Sequence, residues 1–542
     1  LKNDIEDLFC KMNLSHDSQE SDINNSETKS LLKEENNVYD EADLYENAVA
    51  SCGFGYFQIK LLFICGWAIA SDSAEIQTVS FVLPSACDLY LTSNNKGWLN
   101  AIIFIGMILG GYGFGGAADI KGRRFILLMS MSLNGLFGVC SAFSPSFGYF
   151  LVFRLLSGIG VGAAMPVLFS YFVEFMSMNR RGPMIGFMAS FWMFGNILAS
   201  AAAWIIIPRV HIGFYIFGLW FGSWRIFVVI CAIPSLSSAF FLYFMPESPK
   251  YLQNIGQYKR AEKVFKLMFN CNFGQVESIP PEISEFGDRQ PRVDTPFDIH
   301  HGDVCKFSQC LCSFSLTLKK VCCSTKKLFQ KPHLRTTLIL LFVWFTLSFG
   351  YYGLWMWFPE IFQRIQQGGS SCGGETSFNE TKSIWTCSQQ VEFGTAVYME
   401  SFLIALSNLP GNIITVLVIN KLGRRQLLAI SMVISGICVF FFWFVTTPTE
   451  TLIMACLFSG VSVAGWNALD ALALEQYPTN LRSTSFGLQS GVGRVAAVLG
   501  NVVFGEMVDL HCSIPLLTVA VMLFIGGLSA IKLQKTEKTA LK

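Results

Sequence analysis

Gly115-Gly116-Ala117-Ala118-Asp119-Ile120-Lys121-Gly122-Arg123-Arg124 interrupts two long apolar runs, and it returns in weakened form as Asn420-Lys421-Leu422-Gly423-Arg424-Arg425. Asp119 and Asn420, Arg123 and Arg424, and Arg124 and Arg425 each stand 301 residues apart. Glu174 and Arg181, after one apolar run, answer at the same 301-residue spacing to Glu475 and Arg482 after another. A repeat of this length is too long for a solenoid. Set between runs of membrane-spanning length, it predicts a duplicated membrane bundle, one half a copy of the other.

Composition agrees. Of the 542 residues 52% are apolar and only 14% charged, where a water-soluble domain carries about a quarter charged residues. The net charge of +1 averages an acidic amino-terminal segment against basic loops, so no nucleic-acid partner is expected. The first 50 residues hold 13 Asp and Glu against 4 Lys and Arg, a composition that cannot bury enough apolar surface to fold. They contain no signal-peptide pattern, so the first span is expected to direct insertion. The chain opens with Leu rather than Met, as a fragment or a processed form would.

Spans need about 20 apolar residues. Reading for them gives about twelve, the first centred near Cys65 and the last near Met522. Lys121, Arg123, Arg124, Arg180, Arg181, Lys421, Arg424, Arg425 and Arg482 fall in alternate short loops, which the positive-inside rule assigns to the cytoplasm with both termini. The expected organisation is an acidic disordered tail over 1–54, a six-helix bundle over 55–245, a cytoplasmic connector over 246–332, a second six-helix bundle over 333–532, and a short tail over 533–542. An extracytoplasmic loop over 364–392 carries the glycosylation sequon Asn379-Glu380-Thr381. The same loop holds Cys372 and Cys387, expected to form a disulfide, with Cys87 as the competing partner. Most of the 17 cysteines lie in apolar runs and read as small buried hydrophobes. In the connector, Cys271, Cys305, Cys310, Cys312, Cys322 and Cys323 form no C-x-x-C pair, so free or lipidated thiols are expected there rather than a zinc site. No metal or other cofactor is expected. Neither a nucleophile–base constellation nor a nucleotide-binding loop is evident, which argues against an enzyme and against ATP-driven transport.

The six-plus-six duplication, the central cytoplasmic loop and the Asp119/Gly122/Arg123/Arg124 motif together resemble the major facilitator superfamily from about residue 55 to 532. Within it, the chain is similar to the synaptic vesicle glycoprotein 2 family and its relatives. The residues that carry this are PSACDLYLTSNNKGWL (84–99), RLLSGIGVGAAMPVLFSYFVEF (154–175), SWRIFVVICAIPS (223–235) with PESPKYL (246–252), VWFTLSFGYYGLWMWFP (343–359) and GWNALDALALEQYPTNLRSTSFG (465–487). Vertebrate members carry a large folded luminal domain between the seventh and eighth spans. Here only 35 positions separate Phe358 from Phe393, so no role tied to that domain carries over.

The resemblance implies an all-α polytopic membrane protein of twelve helices and a transporter-like function at secretory or synaptic vesicles or the plasma membrane. It also brings the first and fourth spans together, and the tenth and eleventh. Charges near mid-bilayer cost at least about 2.5–3.5 kcal/mol each, so those in the spans need partners. Asp72 or Glu75 is expected within reach of Arg154, and Asp470 within reach of Arg494. The first set could hold coupling carboxylates that change partner or proton during transport, or a permanent ion pair that fixes helix register. In the family, residues matching Trp204, Trp344, Tyr351, Trp466 and Asp470 surround small antiepileptic-type ligands. With Tyr352 and Asn467 they form the expected pocket for a small organic solute: a sugar, an organic ion or an amide-like molecule. Asp119, Arg123, Arg124, Glu174, Arg181, Arg424, Arg425, Glu475 and Arg482 are expected to gate the cytoplasmic side, Arg123 and Arg124 latching against Glu174 or Glu475. The alternative to transport is a vesicle membrane protein that regulates exocytosis, its cytoplasmic segments binding trafficking adaptors.

Overall fold

The computed structural model describes residues 43–89, 91–216, 219–274, 279–288, 325–366, 394–445, 447–508 and 513–534. The first half of the bundle is built from α2 (Tyr56–Ser85), α3 (Ser93–Lys121), α4 (Arg123–Ala142), α5 (Phe147–Val173), α6 (Met178–Ile206) and α7 (Ser223–Tyr243). The second is built from α11 (Leu334–Trp355) with its short continuation α12 (Phe358–Gln366), then α13 (Thr395–Leu422), α14 (Arg424–Phe441), α15 (Pro448–Glu475), α16 (Thr479–Met507) and α17 (Ser513–Ala530). A two-stranded hairpin, β1 (Phe214–Ile216) and β2 (Leu219–Phe221), joins α6 to α7. Before the bundle lies α1 (Asp43–Ser51). In chain order, α8 (Pro249–Asn254), α9 (Tyr258–Phe273) and α10 (Pro281–Asp288) come after α7 and before α11. The cysteines and sequon of the 364–392 loop, and the connector cysteines other than Cys271, lie outside the described residues.

The motif glycines are the corners of the duplication. Gly122 separates α3 from α4 and Gly423 separates α13 from α14, with φ of +100° and +81°. A residue with a Cβ is strained at such angles, which is why glycine stands at both corners. Arg124 donates to the carbonyl of Tyr243 at the end of α7. Its copy Arg425 donates to the carbonyls of Ile531 and Leu533 beyond α17, at 3.2 and 3.0 Å. Each arginine thus ties the third helix of its half to the end of the sixth.

Among the described residues, ten helices, α11 counted with α12, are by themselves long and apolar enough to span a bilayer. Helix α2 meets that test only together with α1, to which it is bent by 104°, and α16 does not meet it. Both are diluted by polar residues: Asp72, Glu75 and Gln77 in α2, and Arg482, Gln489, Arg494 and Asn501 in α16. The two helices that fall short of the test are ones whose polar residues lie along the span.

Packing repeats in the two halves. Helix α3 packs on α5, and α4 on both α5 and α7; correspondingly α13 packs on α15, and α14 on both α15 and α17. A Cβ built on Gly110 would meet the Ile159 carbonyl at 2.0 Å, and one on Gly411 would meet that of Gly460 at 2.3 Å. Both residues of this contact keep the 301-residue offset. These glycines let helix backbones touch within each half, so their surfaces are static seams rather than sliding faces. Gly110→Ala is therefore expected to destabilise the protein by about 1–3 kcal/mol through overpacking. Thermal unfolding of the purified protein checks this, with Gly113→Ala, whose Cβ would meet nothing within 4 Å, as the neutral control.

The chain divides into two compact units. The larger holds residues 60–173, 182–246 and 328–542 and carries the bundle; the smaller takes in 1–59, 174–181 and 247–327. In the smaller unit α1 packs into the connector. Tyr45 sits edge-on to Phe265 and Phe286, at 5.9 and 6.3 Å, and donates to the Glu174 carbonyl at 2.5 Å. Glu46 pairs with Arg181 at 2.5 Å. The Glu174 carboxylate accepts from the Ser248 hydroxyl. Burial pushes the Cys52 thiol up to about 12. Residues 43–51 are therefore helical, where composition alone assigned them to a disordered tail: Tyr45, Ala48, Val49 and Cys52 line one apolar side that the connector covers.

Candidate functional site

Two polar sets lie inside the larger unit. The first is sealed within the first half. Asp72 and Glu75 are one helical turn apart on α2, and Arg154 and Ser157 one turn apart on α5, so each pair shares a face. Arg154 Nη1 lies 2.5 Å from Glu75 Oε1. Asn134 on α4 donates to Asp72 Oδ1 at 3.0 Å. Ser157 Oγ lies 2.9 Å from both Glu75 Oε1 and Asn134 Oδ1, and its single hydrogen can serve only one of them at a time. All five side chains are fully buried. Asp72 Oδ2, Glu75 Oε2 and two guanidinium nitrogens of Arg154 have no hydrogen-bond partner among the described residues. Gly138 makes the room, since a Cβ there would stand 3.1 Å from Glu75 Oε1.

The second set belongs to the second half. Trp466 on α15 is the hub, with ring centroids 5.6 Å from Trp344, 6.0 Å from Tyr351 and 5.7 Å from Tyr352. Phe486 stands perpendicular to Trp344 at 5.7 Å. Phe104, from the first half, reaches Tyr352 at 5.0 Å. The indole nitrogens of Trp344 and Trp466 and the hydroxyl of Ser348 are buried without a partner among the described residues. Buried indole N–H groups normally find one, so donors are left on offer between aromatic faces. Asn467 donates to Asn412 at 2.7 Å, and Asp470, one turn beyond Trp466, is half-buried.

Two expected contacts differ. Arg494 forms no ion pair with Asp470 among the described residues; its Nη1 lies instead 2.8 Å from the Met107 carbonyl of α3. A helix carbonyl keeps a second lone pair. Gly111 opens the approach, since a Cβ there would stand 2.7 Å from Arg494 Nη1. Arg494 thus joins the two halves. Trp204 does not join the Trp466 cluster either, but stacks on Phe402 of α13 at 5.7 Å with its outer edge exposed.

Among the motif residues, Arg424 Nε lies 2.9 Å from Glu475 Oε1, and Arg123 lies 3.6 Å from Asp119. Among the described residues, Glu475 thus pairs with an arginine of its own half. At the opposite end of the bundle, Lys96 on α3 meets Glu360 on α12 at 2.7 Å, and Arg364 bonds both Glu360 and Ser93, at 3.1 and 3.0 Å. Sequence reasoning missed Asn134, Ser157 and the Lys96–Glu360 pair. A lone Asn or Ser in an apolar run carries no signal, and Lys96 and Glu360 stand at span ends, where charges are ordinary.

The family model for sugar (and other) transporters matches residues 49–292, and that for the major facilitator superfamily matches residues 386–542. Synaptic vesicle glycoprotein 2C of Mus musculus is 33% identical over 92% of this chain and 81% of its own length. Synaptic vesicle glycoprotein 2A of Rattus norvegicus is 32% identical over 92% of this chain and 80% of its own. Among solved structures, the xylose transporter XylE from E. coli, in a partially occluded inward-open conformation, aligns with a TM-score of 0.61 at 16% identity, covering 87% of this chain and 98% of that one. A D-xylose–proton symporter structure aligns with a TM-score of 0.61 at 18% identity, covering 89% and 98%.

Proposed function

Because the chain belongs to the synaptic vesicle glycoprotein 2 family of the major facilitator superfamily, we propose that it moves a small organic solute across a vesicle or plasma membrane by alternating access, coupled to protons. The observation that carries this is the sealed set of two carboxylates and one guanidinium in the first half. Two carboxylates against one Arg154 leave one negative charge, which a single proton on Asp72 or Glu75 neutralises. A solvent-shielded set that gains or loses one proton is suited to coupling. The solute would sit against Trp344, Tyr351, Tyr352 and Trp466, with Asn467 and Asp470 as polar contacts and Trp204 at the margin. A sugar, an organic ion and an amide all fit free indole donors between aromatic faces.

In this reading the Asp119/Arg123 and Arg424/Glu475 pairs face the cytoplasm, as the positive-inside rule requires. Asn379 then carries a glycan on the other side, with Cys372 and Cys387 in a disulfide beside it; in cells, Asn379→Gln is expected to abolish the glycosidase-sensitive gel shift. Uptake of labelled sugars, organic ions and amides into vesicles holding the purified protein, with and without a pH gradient, tests the proposal. Gradient-dependent uptake of any one class supports it, and uniform silence across the panel sinks it. The packed unit of α1 with α8, α9 and α10 favours a second reading, in which that unit binds trafficking adaptors and the bundle does not transport; it would take over on a silent panel.

A further inference from the structure

Helix α9 has two unlike sides. Tyr258, Ala261, Val264, Phe265, Met268 and Phe269 are buried against its own unit. The other side is open and carries Lys259, Arg260 and Lys263, followed towards the helix end by Leu267, 45% exposed, and Phe273, 55% exposed. Among the described residues, none of these three cations pairs with a carboxylate. Arg260 meets only the Gln257 side chain, at 2.9 Å, and the pair in the helix is Lys266 with Glu262 at 2.5 Å. Three acids of the unit, Glu282, Glu285 and Asp288, stand on α10.

The end of α9 is fixed to the start of α2. Asn272 donates to the Cys52 carbonyl and to Gln58, both at 2.9 Å, and accepts from the Phe57 amide at 3.0 Å. Phe57 and Gln58 lie in the first turn of α2. Phe273 lies over Gly53, so closely that a Cβ there would meet its ring at 2.7 Å. Tyr56 and Ile59, in the same turn, are exposed.

We infer that the open side of α9 is a docking surface for the acidic headgroups of the bilayer, with Lys259, Arg260 and Lys263 on the headgroups and Leu267 and Phe273 at the acyl boundary. A cationic row ending in exposed apolar residues, locked beside the first turn of a membrane span, matches an anionic leaflet in charge and in polarity. The inference rests on the bundle reading but not on transport. It is also indifferent to sidedness when both leaflets have one composition.

The test is hydrogen exchange of the full chain in nanodiscs of phosphatidylcholine alone or mixed with phosphatidylserine. Amides of α9 are expected to exchange at least about fivefold more slowly with phosphatidylserine, the factor expected for each cation at an acidic surface. The slowing should vanish in K259Q/R260Q/K263Q, which changes only exposed side chains and should leave the phosphatidylcholine rate alone. Equal rates in the two lipids, or slowing that survives the triple substitution, overturn the inference. So does slow exchange in phosphatidylcholine that salt abolishes, which would point to the acidic residues 1–42 as the occupant.

Discussion

Arg154→Met is expected to destabilise the protein by about 3–5 kcal/mol and to abolish solute uptake, whereas Glu75→Gln costs markedly less stability. Removing one member of a buried ion pair strands the other, and here the two removals are unequal. Without Arg154, two carboxylates three residues apart share a buried site with no cation. Without the Glu75 charge, Arg154 keeps an acid one turn away in Asp72, bridged to the set through Asn134 and Ser157. The double variant Glu75→Gln/Arg154→Met should regain most of the stability lost in Arg154→Met, since an uncharged core of similar volume is often neutral. Thermal unfolding of the three proteins decides the stability claim. Uptake with and without a pH gradient separates coupling from folding, because Glu75→Gln should fold yet lose its response to the gradient. Equal destabilisation by the two single substitutions would show that Asp72 takes no share of the arginine.

The duplication explains why such a set exists only once. At the 301-residue offset, Arg154 corresponds to Ala455, Ser157 to Phe458 and Asn134 to Ser435. Conversely, Trp466 corresponds to Met165, Asp470 to Phe169 and Asn412 to Gly111. The seams were kept, since Gly110 and Gly411, and Gly122 and Gly423, still do the same backbone work in both halves. The interiors diverged, one into a charged and sealed core, the other into an aromatic chamber with free donors. Rocking one half against the other would then move a proton-bearing half relative to a solute-bearing half. Arg494 on the Met107 carbonyl and Phe104 on Tyr352 are places where such motion is felt by both.

What was legible in the sequence follows the same division. The corners at Gly122 and Gly423, the long apolar helices and the meeting of Glu75 with Arg154 could be read because each leaves a pattern: a repeated motif, a run of apolar residues, a charge that cannot stand alone in lipid. The direction of Arg494 could not, because an arginine can satisfy itself on any carbonyl within its long reach, and no sequence pattern marks the Met107 carbonyl as open. Depth along a span is readable, but azimuth is not, and the Trp204 ring turns to Phe402. The helix at 43–51 was hidden because acidic composition masks a short apolar stripe whose partner lies some 200 residues away in the connector.

Glu360→Gln is expected to loosen the end of the bundle opposite the motif loops. That end is held shut by contacts between the halves: Lys96 on Glu360, Arg364 on Ser93, Ser80 on the Met356 carbonyl at 2.7 Å, and Gly97 against Gly505, where a Cβ would stand 2.9 Å from the facing Cα. Of these only the Lys96–Glu360 contact pairs two opposite charges, and the carboxylate is 5% exposed. Hydrogen bonds to a charged group contribute about 1.5–3 kcal/mol, so neutralising it should raise the open population about 10- to 100-fold if the bond exists only in the closed form. Asn100, one turn deeper than Lys96 on α3, is fully buried; as Asn100→Cys it reports on opening through its reaction with an impermeant thiol reagent, followed by peptide mass spectrometry. Labelling should accelerate by that factor in Glu360→Gln and remain slow in Arg364→Gln, where Lys96 still holds the carboxylate. Labelling unchanged by Glu360→Gln, alongside a lowered Tm, would mean that the pair braces α12 without closing the chamber. The seal would then lie in the glycine contact alone, which Gly505→Ala would force apart.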